Sequence, residues 1–158
     1  MEIDIDLSAQ RLRLCDGEHQ VMDVAVSTGA NGIGEQNGSG CTPRGRHQVR
    51  AKIGQGAPPG AVFRGRRWTG EVWTPEAHDT QPGRDWILTR ILWLSGLEPG
   101  RNRLGPVDTF RRYIYLHGTP PVTALGTPGS KGCIRMNNAD IIRLFDLVAP
   151  GTVVNLHE

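Results

Sequence analysis

Two side chains in this sequence have the types and spacing for covalent chemistry: His117 and Cys133, 16 residues apart. A thiol beside an imidazole is the couple for nucleophilic acyl transfer. The thiolate attacks a carbonyl, and the imidazole takes the thiol proton and later hands it to the leaving group. The run Tyr113-Ile114-Tyr115-Leu116 reads as a strand that delivers His117. A Pro/Gly-rich loop follows, long enough to fold back and bring Cys133 to the histidine. Gly118 and Gly132 flank the two residues and let backbone approach a reacting carbonyl closely. Alone, a cysteine is usually a small buried hydrophobe, and a histidine a core or surface residue. The combination favours catalysis, because Cys133 sits in a Gly-flanked turn ahead of a helix start. A helix N-terminus and a nearby imidazole both lower a thiol pKa.

The segment His117-Gly118, followed by a loop and then Ser130-Lys131-Gly132-Cys133-Ile134-Arg135, resembles the signature of the L,D-transpeptidase (YkuD-type) catalytic domain. The resemblance extends upstream to Val26-Ser27-Thr28-Gly29 and Thr42-Pro43-Arg44-Gly45, and downstream to Gly151-Thr152-Val153-Val154. It covers nearly the whole chain as one domain, residues 1–158. One departure is Lys131, where the family often has histidine. That position is neither nucleophile nor base, so the departure touches substrate handling rather than the chemistry.

The resemblance implies the site. Cys133 is the nucleophile and His117 the base, with a backbone carbonyl near Gly118 holding the imidazole tautomer. The N–H groups of Gly132 and Cys133 form the oxyanion hole, where each lost donor costs roughly 3–4 kcal/mol. Ser130 and Arg135 brace the loop, and Arg135 is also placed to pair with a substrate carboxylate bidentately. No metal or other cofactor is called for. The implied substrates are peptidoglycan stem peptides or muropeptides, attacked between the L-centre of diaminopimelate and a terminal D-amino acid. An amine acceptor gives an L,D crosslink or D-amino-acid exchange, and water gives L,D-carboxypeptidation.

The bulk composition is consistent with this. The chain's 158 residues suit one domain. Its 21 glycines and 11 prolines are more than a helical protein needs and match many tight turns between short strands. A net charge of +2 is too small to argue for nucleic acid, and Arg64-Gly65-Arg66-Arg67 reads as a solvated strand or loop surface, with a weaker reading as a contact for an anionic substrate. Cys15 and Cys41 have no motif around them. An odd cysteine count is poor material for a disulfide framework and suits a reducing compartment. The opening Met1-Glu2-Ile3-Asp4-Ile5-Asp6 has neither the basic nor the apolar part of a signal peptide, and no stretch spans a membrane. Taken as full length, the chain is expected in the cytoplasm, which favours trimming of recycled tetrapeptides; taken as trimmed, it is expected in the periplasm.

The elements that must position the couple are mostly strands. Ile3, Ile5 and Leu7, then Leu12 and Leu14, alternate with polar residues, the period-two pattern of a hairpin. Val21 to Val26 is a further strand. Thr28 to Gly40 is loop; it lacks the ending of a phosphate-binding loop. Thr42-Pro43-Arg44-Gly45 turns into a strand from His47 to Ile53, with His47 on its surface. Short strands follow around Val62-Phe63 and Val72-Trp73. Thr74 to Gly83 reads as loop with His78 exposed. Trp86 to Leu94 is apolar enough for a strand buried on both faces. One helix is expected, capped by Asn137 or Asn138, with Ile141, Ile142, Leu144, Phe145 and Val148 as its core stripe. Pro150-Gly151 stops it, and Thr152 to Leu156 closes as a strand. The expected fold is a mostly β sandwich or open barrel of mixed sheets with that helix packed on it, as the resemblance also implies.

Two other readings compete. A non-catalytic cell-wall- or sugar-binding β domain would use aromatic platforms, and the chain has Trp68, Trp73, Trp86 and Trp93. Zinc binding by His117, Cys133 and either His47 or His78 has no supporting ligand spacing.

Overall fold

The computed structural model describes residues 1–158. The chain opens with three antiparallel strands, β1 (Glu2–Asp6), β2 (Arg11–Asp16) and β3 (His19–Ala25). Their alternation is the one visible in the sequence: Ile3, Ile5, Leu12 and Leu14 are fully buried while their neighbours face outward. After a long loop come β4 (Gly45–Ile53), the hairpin β5 (Ala61–Arg64) and β6 (Arg67–Val72), and a short helix α1 (Pro75–Thr80). Then follow β7 (Leu88–Gly96), a single 3-10 turn at Gly105–Val107, β8 (Tyr115–Gly118), β9 (Ile134–Met136), α2 (Asn138–Leu147) and β10 (Val153–His157).

All ten strands join one mixed sheet in the order β3-β2-β1-β10-β4-β7-β5-β6, with β8 pairing β7 and β9 off that path. The sheet curls into a half-barrel, the open-barrel form of the expectation. Most neighbours are antiparallel; β1 with β10 and β8 with β9 are parallel. β7 contributes buried residues from both faces, as its largely apolar run suggests.

Helix α2 covers the core. Ile141, Leu144 and Phe145 are buried against Leu92, Leu94, Leu116, Ile134 and Met136 of the sheet. The Asn137 side chain caps its first turn, accepting from the Ala139 N–H at 2.8 Å. Its last carbonyls are capped from across the fold: Lys52 Nζ of β4 donates to Phe145 O at 2.6 Å and Val148 O at 2.7 Å.

Three local expectations are corrected. The Thr74–Gly83 stretch holds α1, capped by Thr74 accepting from Ala77 N–H at 3.2 Å. That helix buries no residue completely, so it left no apolar stripe in the sequence. His78 lies on it, partly covered beside Trp73. His47 is no surface residue: it is fully buried, with Nδ1 3.0 Å from Gly45 O and Nε2 2.9 Å from Thr109 Oγ1.

Candidate active site

Strand β8 lies between β7 and β9, and its parallel register with β9 sets Leu116 opposite Ile134 and His117 opposite Arg135. The strand period of two turns Leu116 and Ile134, both fully buried, toward the main core. It puts Tyr115 and His117 on the other face, and Cys133 and Arg135 on the matching face of the adjacent chain. There a smaller apolar cluster of Ala61, Phe63, Ile91 and Tyr115 packs against Cys133. A cleft of about 270 Å³ opens on this face, lined by Phe63, Arg66, Asp85, Tyr115, Lys131 and Cys133 among others.

His117 is fully buried. Its Nδ1 is 2.7 Å from the Gly118 carbonyl oxygen. A carbonyl only accepts, so Nδ1 carries the proton and Nε2 keeps its lone pair. Nε2 has no partner in the chain. A side chain at Gly118 would run into Leu88 O at 2.7 Å and into Asn138, so glycine is needed for this carbonyl to sit where it does.

Cys133 is half-buried. Its Sγ donates to Tyr113 O at 3.2 Å and accepts from Tyr115 N–H at 3.3 Å; no hydrogen bond joins it to His117. Burial pushes the thiol up to about 12, and burial also pushes His117 below its ordinary range. Burial thus favours the uncharged form of each, thiol and imidazole. The expectation of a thiol lowered by a helix start is corrected, because β9 stands between Cys133 and α2.

The turn carrying Cys133 is held from three sides. Ser130 Oγ accepts from Gly132 N–H at 3.0 Å and donates to Cys133 O at 2.5 Å. Thr42 Oγ1 donates to Gly132 O at 2.9 Å. The Val26–Ala30 stretch runs beside the loop, with Ser130 N–H on Thr28 O at 2.9 Å and Ala30 N–H on Ser130 O at 2.8 Å. Gly132 has φ +123°, and a Cβ there would lie 3.1 Å from Cys41 O. Its N–H is taken by Ser130, which corrects the expected pair of oxyanion donors. Of the two, Cys133 N–H is the one with no partner in the chain. Arg135 braces the loop through Gly129 O at 2.9 Å, but its other arm is held by Asp85 at 2.7 Å, not open to solvent. Asp85 and Tyr115 had no local spacing in the sequence to mark them, and Arg66 had only the weaker reading of its arginine cluster as a contact for an anionic substrate; the pairing of distant strands brings all three here. Cys15 and Cys41 are free thiols outside the cleft.

The fold and this site together define a curled β half-barrel bearing a histidine on β8 and a cysteine in the turn that enters the adjacent β9. The sequence model of the L,D-transpeptidase catalytic domain matches residues 1–156, and the chain belongs to that family. It is 37% identical over 62 residues to the putative L,D-transpeptidase YkuD of Bacillus subtilis, a match spanning 36% of this chain and 38% of that protein. Among solved structures, an L,D-transpeptidase from Mycobacterium smegmatis superposes with TM-score 0.57 at 18% identity, covering 99% of this chain and 58% of the other. Another, solved in complex with imipenem, gives TM-score 0.56 at 16% identity, covering 98% and 57%. At these identities the likeness is one of fold. The chain spans under two thirds of each relative's length.

Proposed function

We propose that Cys133 forms a thioester with the L-centre carbonyl of a peptidoglycan stem peptide, releasing the terminal D-amino acid, and that water then frees the shortened peptide. The observation that carries this reading is the state of His117: Nδ1 is fixed on the Gly118 carbonyl and Nε2 is left with an unshared lone pair on the face that Cys133 shares. An imidazole so held can only act as acceptor at Nε2. On substrate binding it takes the thiol proton, the sulfur attacks, and the tetrahedral oxyanion forms near the Cys133 N–H. The imidazolium then protonates the leaving amine as the C–N bond breaks. In the second half it takes a proton from water, which attacks the thioester and expels the thiol. Catalytic hydrogen bonds are often absent before substrate binds, which accommodates the thiol's resting contact with Tyr113.

Hydrolysis as the second half is supported by the size of the cleft, about 270 Å³. That is just below the usual range of a small-molecule site and supports room for one peptide end plus water. The reading is therefore an L,D-carboxypeptidase that trims tetrapeptides to tripeptides. Transfer to an amine is the second reading. A further hollow lined by Asn37, Arg111, Arg112, Tyr113 and Lys131 lies on the other side of Tyr113 and favours it.

Mass spectrometry of disaccharide-tetrapeptide incubated with the protein, with and without a D-amino acid, separates the outcomes. Tripeptide is expected, with little crosslinked dimer, and pentapeptide is expected to survive because its last bond joins two D-centres. Dimer as the main product would replace hydrolysis by transpeptidation. Cys133→Ala should abolish turnover, whereas Cys15→Ala and Cys41→Ala should retain it. A carbapenem should add its mass to the wild type and not to Cys133→Ala; turnover by that variant would end the thioester mechanism.

A further inference from the structure

The β5–β6 hairpin turns on two residues, Gly65 and Arg66, between the paired Arg64 and Arg67. Both have positive φ, 55° and 62°, as in the hairpin turn that favours Asn and Gly at these positions. A long side chain is disfavoured in this conformation. Tyr113, in a separate loop, is also left-handed at φ 57° and is 53% exposed. These two strained side chains meet over the cleft. The Arg66 guanidinium carbon lies 4.7 Å from the Tyr113 ring centre and 5.2 Å from that of Trp93. Arg66 Nη1 donates to Tyr115 Oη at 3.2 Å.

No carboxylate answers this guanidinium. It takes part in none of the chain's ion pairs, and its Nε and Nη2 donate to nothing. Lys131, lining the same cleft, has no ion pair either. The one carboxylate there, Asp85, is held by Arg135. Asn or Gly would relax the turn, so the sequence keeps a strained cation in the cleft that Cys133 also lines. Strain kept at a substrate cleft is a mark of site residues.

We propose that Arg66 is a specificity-determining residue that binds a free carboxylate of the acyl donor through its Nε–Nη2 edge, with Lys131 adding charge across the cleft. The proposal rests on the stem-peptide reading above, which places two such carboxylates beside the scissile bond: that of the terminal D-residue and that on the diaminopimelate side chain.

The test uses Arg66→Asn, which the turn accommodates, and Arg66→Lys, which keeps the charge. Substrates are the tetrapeptide muropeptide and two analogues, each amidated at one of the two carboxyls. In the wild type, amidation of the bound carboxyl should lower kcat/KM about 10- to 100-fold, the range for a hydrogen bond to a charged group. Arg66→Asn should process the free acid at that reduced level and be indifferent to that amide, which also identifies the carboxyl. Arg66→Lys should keep part of the preference. If Arg66→Asn distinguishes the analogues as the wild type does, the proposal is overturned.

A second measurement needs no peptidase activity: the ratio of Cys133 alkylation rates by iodoacetate and iodoacetamide. Both reagents report the same thiolate, so any change in its ionisation cancels. The ratio should fall severalfold in Arg66→Asn, as expected on losing a cation that lines the same partly desolvated cleft, and hold in Arg66→Lys. An unchanged ratio counts against the anion site. A falling ratio in a protein that never trims tetrapeptide keeps the anion site and removes the stem-peptide reading.

Discussion

Cys133 and His117 face opposite demands from one cause. Burial raises the thiol, to about 12, and lowers the imidazole, so it favours the uncharged form of each. Alkylation of Cys133 by iodoacetamide without substrate should then rise about tenfold per pH unit and keep rising beyond pH 9. A plateau at or below that pH, followed by mass spectrometry of the labelled peptide, would contradict the raised thiol. The acid limb of kcat/KM should lie below the ordinary histidine value of 6.5, and His117→Gln should lower the rate by at least ~10²-fold. His47 carries a separate pH signature. Burial pushes it down to about 4, so it is neutral in the fold when the unfolded chain's histidine is already protonated. The unfolded state binds more protons in that window. Stability is therefore full above pH 6.5 and lost as pH falls toward 4, by about 3 kcal/mol from this residue; His117 adds in the same direction. Thermal unfolding between pH 4 and 7 should show a shallower slope for His47→Gln than for the wild type.

The turn around Cys133 and helix α2 are where elements carry the site. Ser130→Ala removes both hydrogen bonds that close the turn, so kcat should fall about tenfold or more while melting shifts by only the ~1 kcal/mol of an ordinary hydrogen bond. Equal losses in both would make Ser130 merely structural. Phe145→Ala, at a fully buried site under the catalytic strands, should cost about 3–5 kcal/mol in denaturant unfolding. Much of this was legible in the chain. The β1–β2 alternation, the apolar run of β7 and the Asn-capped stripe of α2 each declare themselves within a dozen residues. What was hidden is whatever depends on distant pairing. Lys52 caps a helix that begins more than 80 positions later, and Asp85 reaches Arg135 across 50. The thiol's environment was misjudged for the same reason: local sequence showed a coming helix, not the intervening strand that moves its start away.

For the whole molecule, the parallel seam of β1 and β10 matters most. It joins Glu2 to Val153 and Asp6 to His157. β10 is also the strand that links the β1–β3 group to β4 and the rest of the sheet. Asn155→Pro, opposite Asp4 on one side and Arg46 on the other, should break both ladders and cost about 3 kcal/mol or more; equilibrium unfolding in urea measures it, and a loss under 1 kcal/mol would mean that β10 is dispensable. Pairing across this separation is slow to form because the loop between must close first. On the ribosome, β8 and β9 emerge with His117 and Cys133 already made, yet β1, paired with β2 on one edge, has no partner on its other edge until α2 and β10 have followed. The domain thus holds an open strand edge until β10 is made, and β8 and β9 settle into a complete sheet only after that strand has joined it.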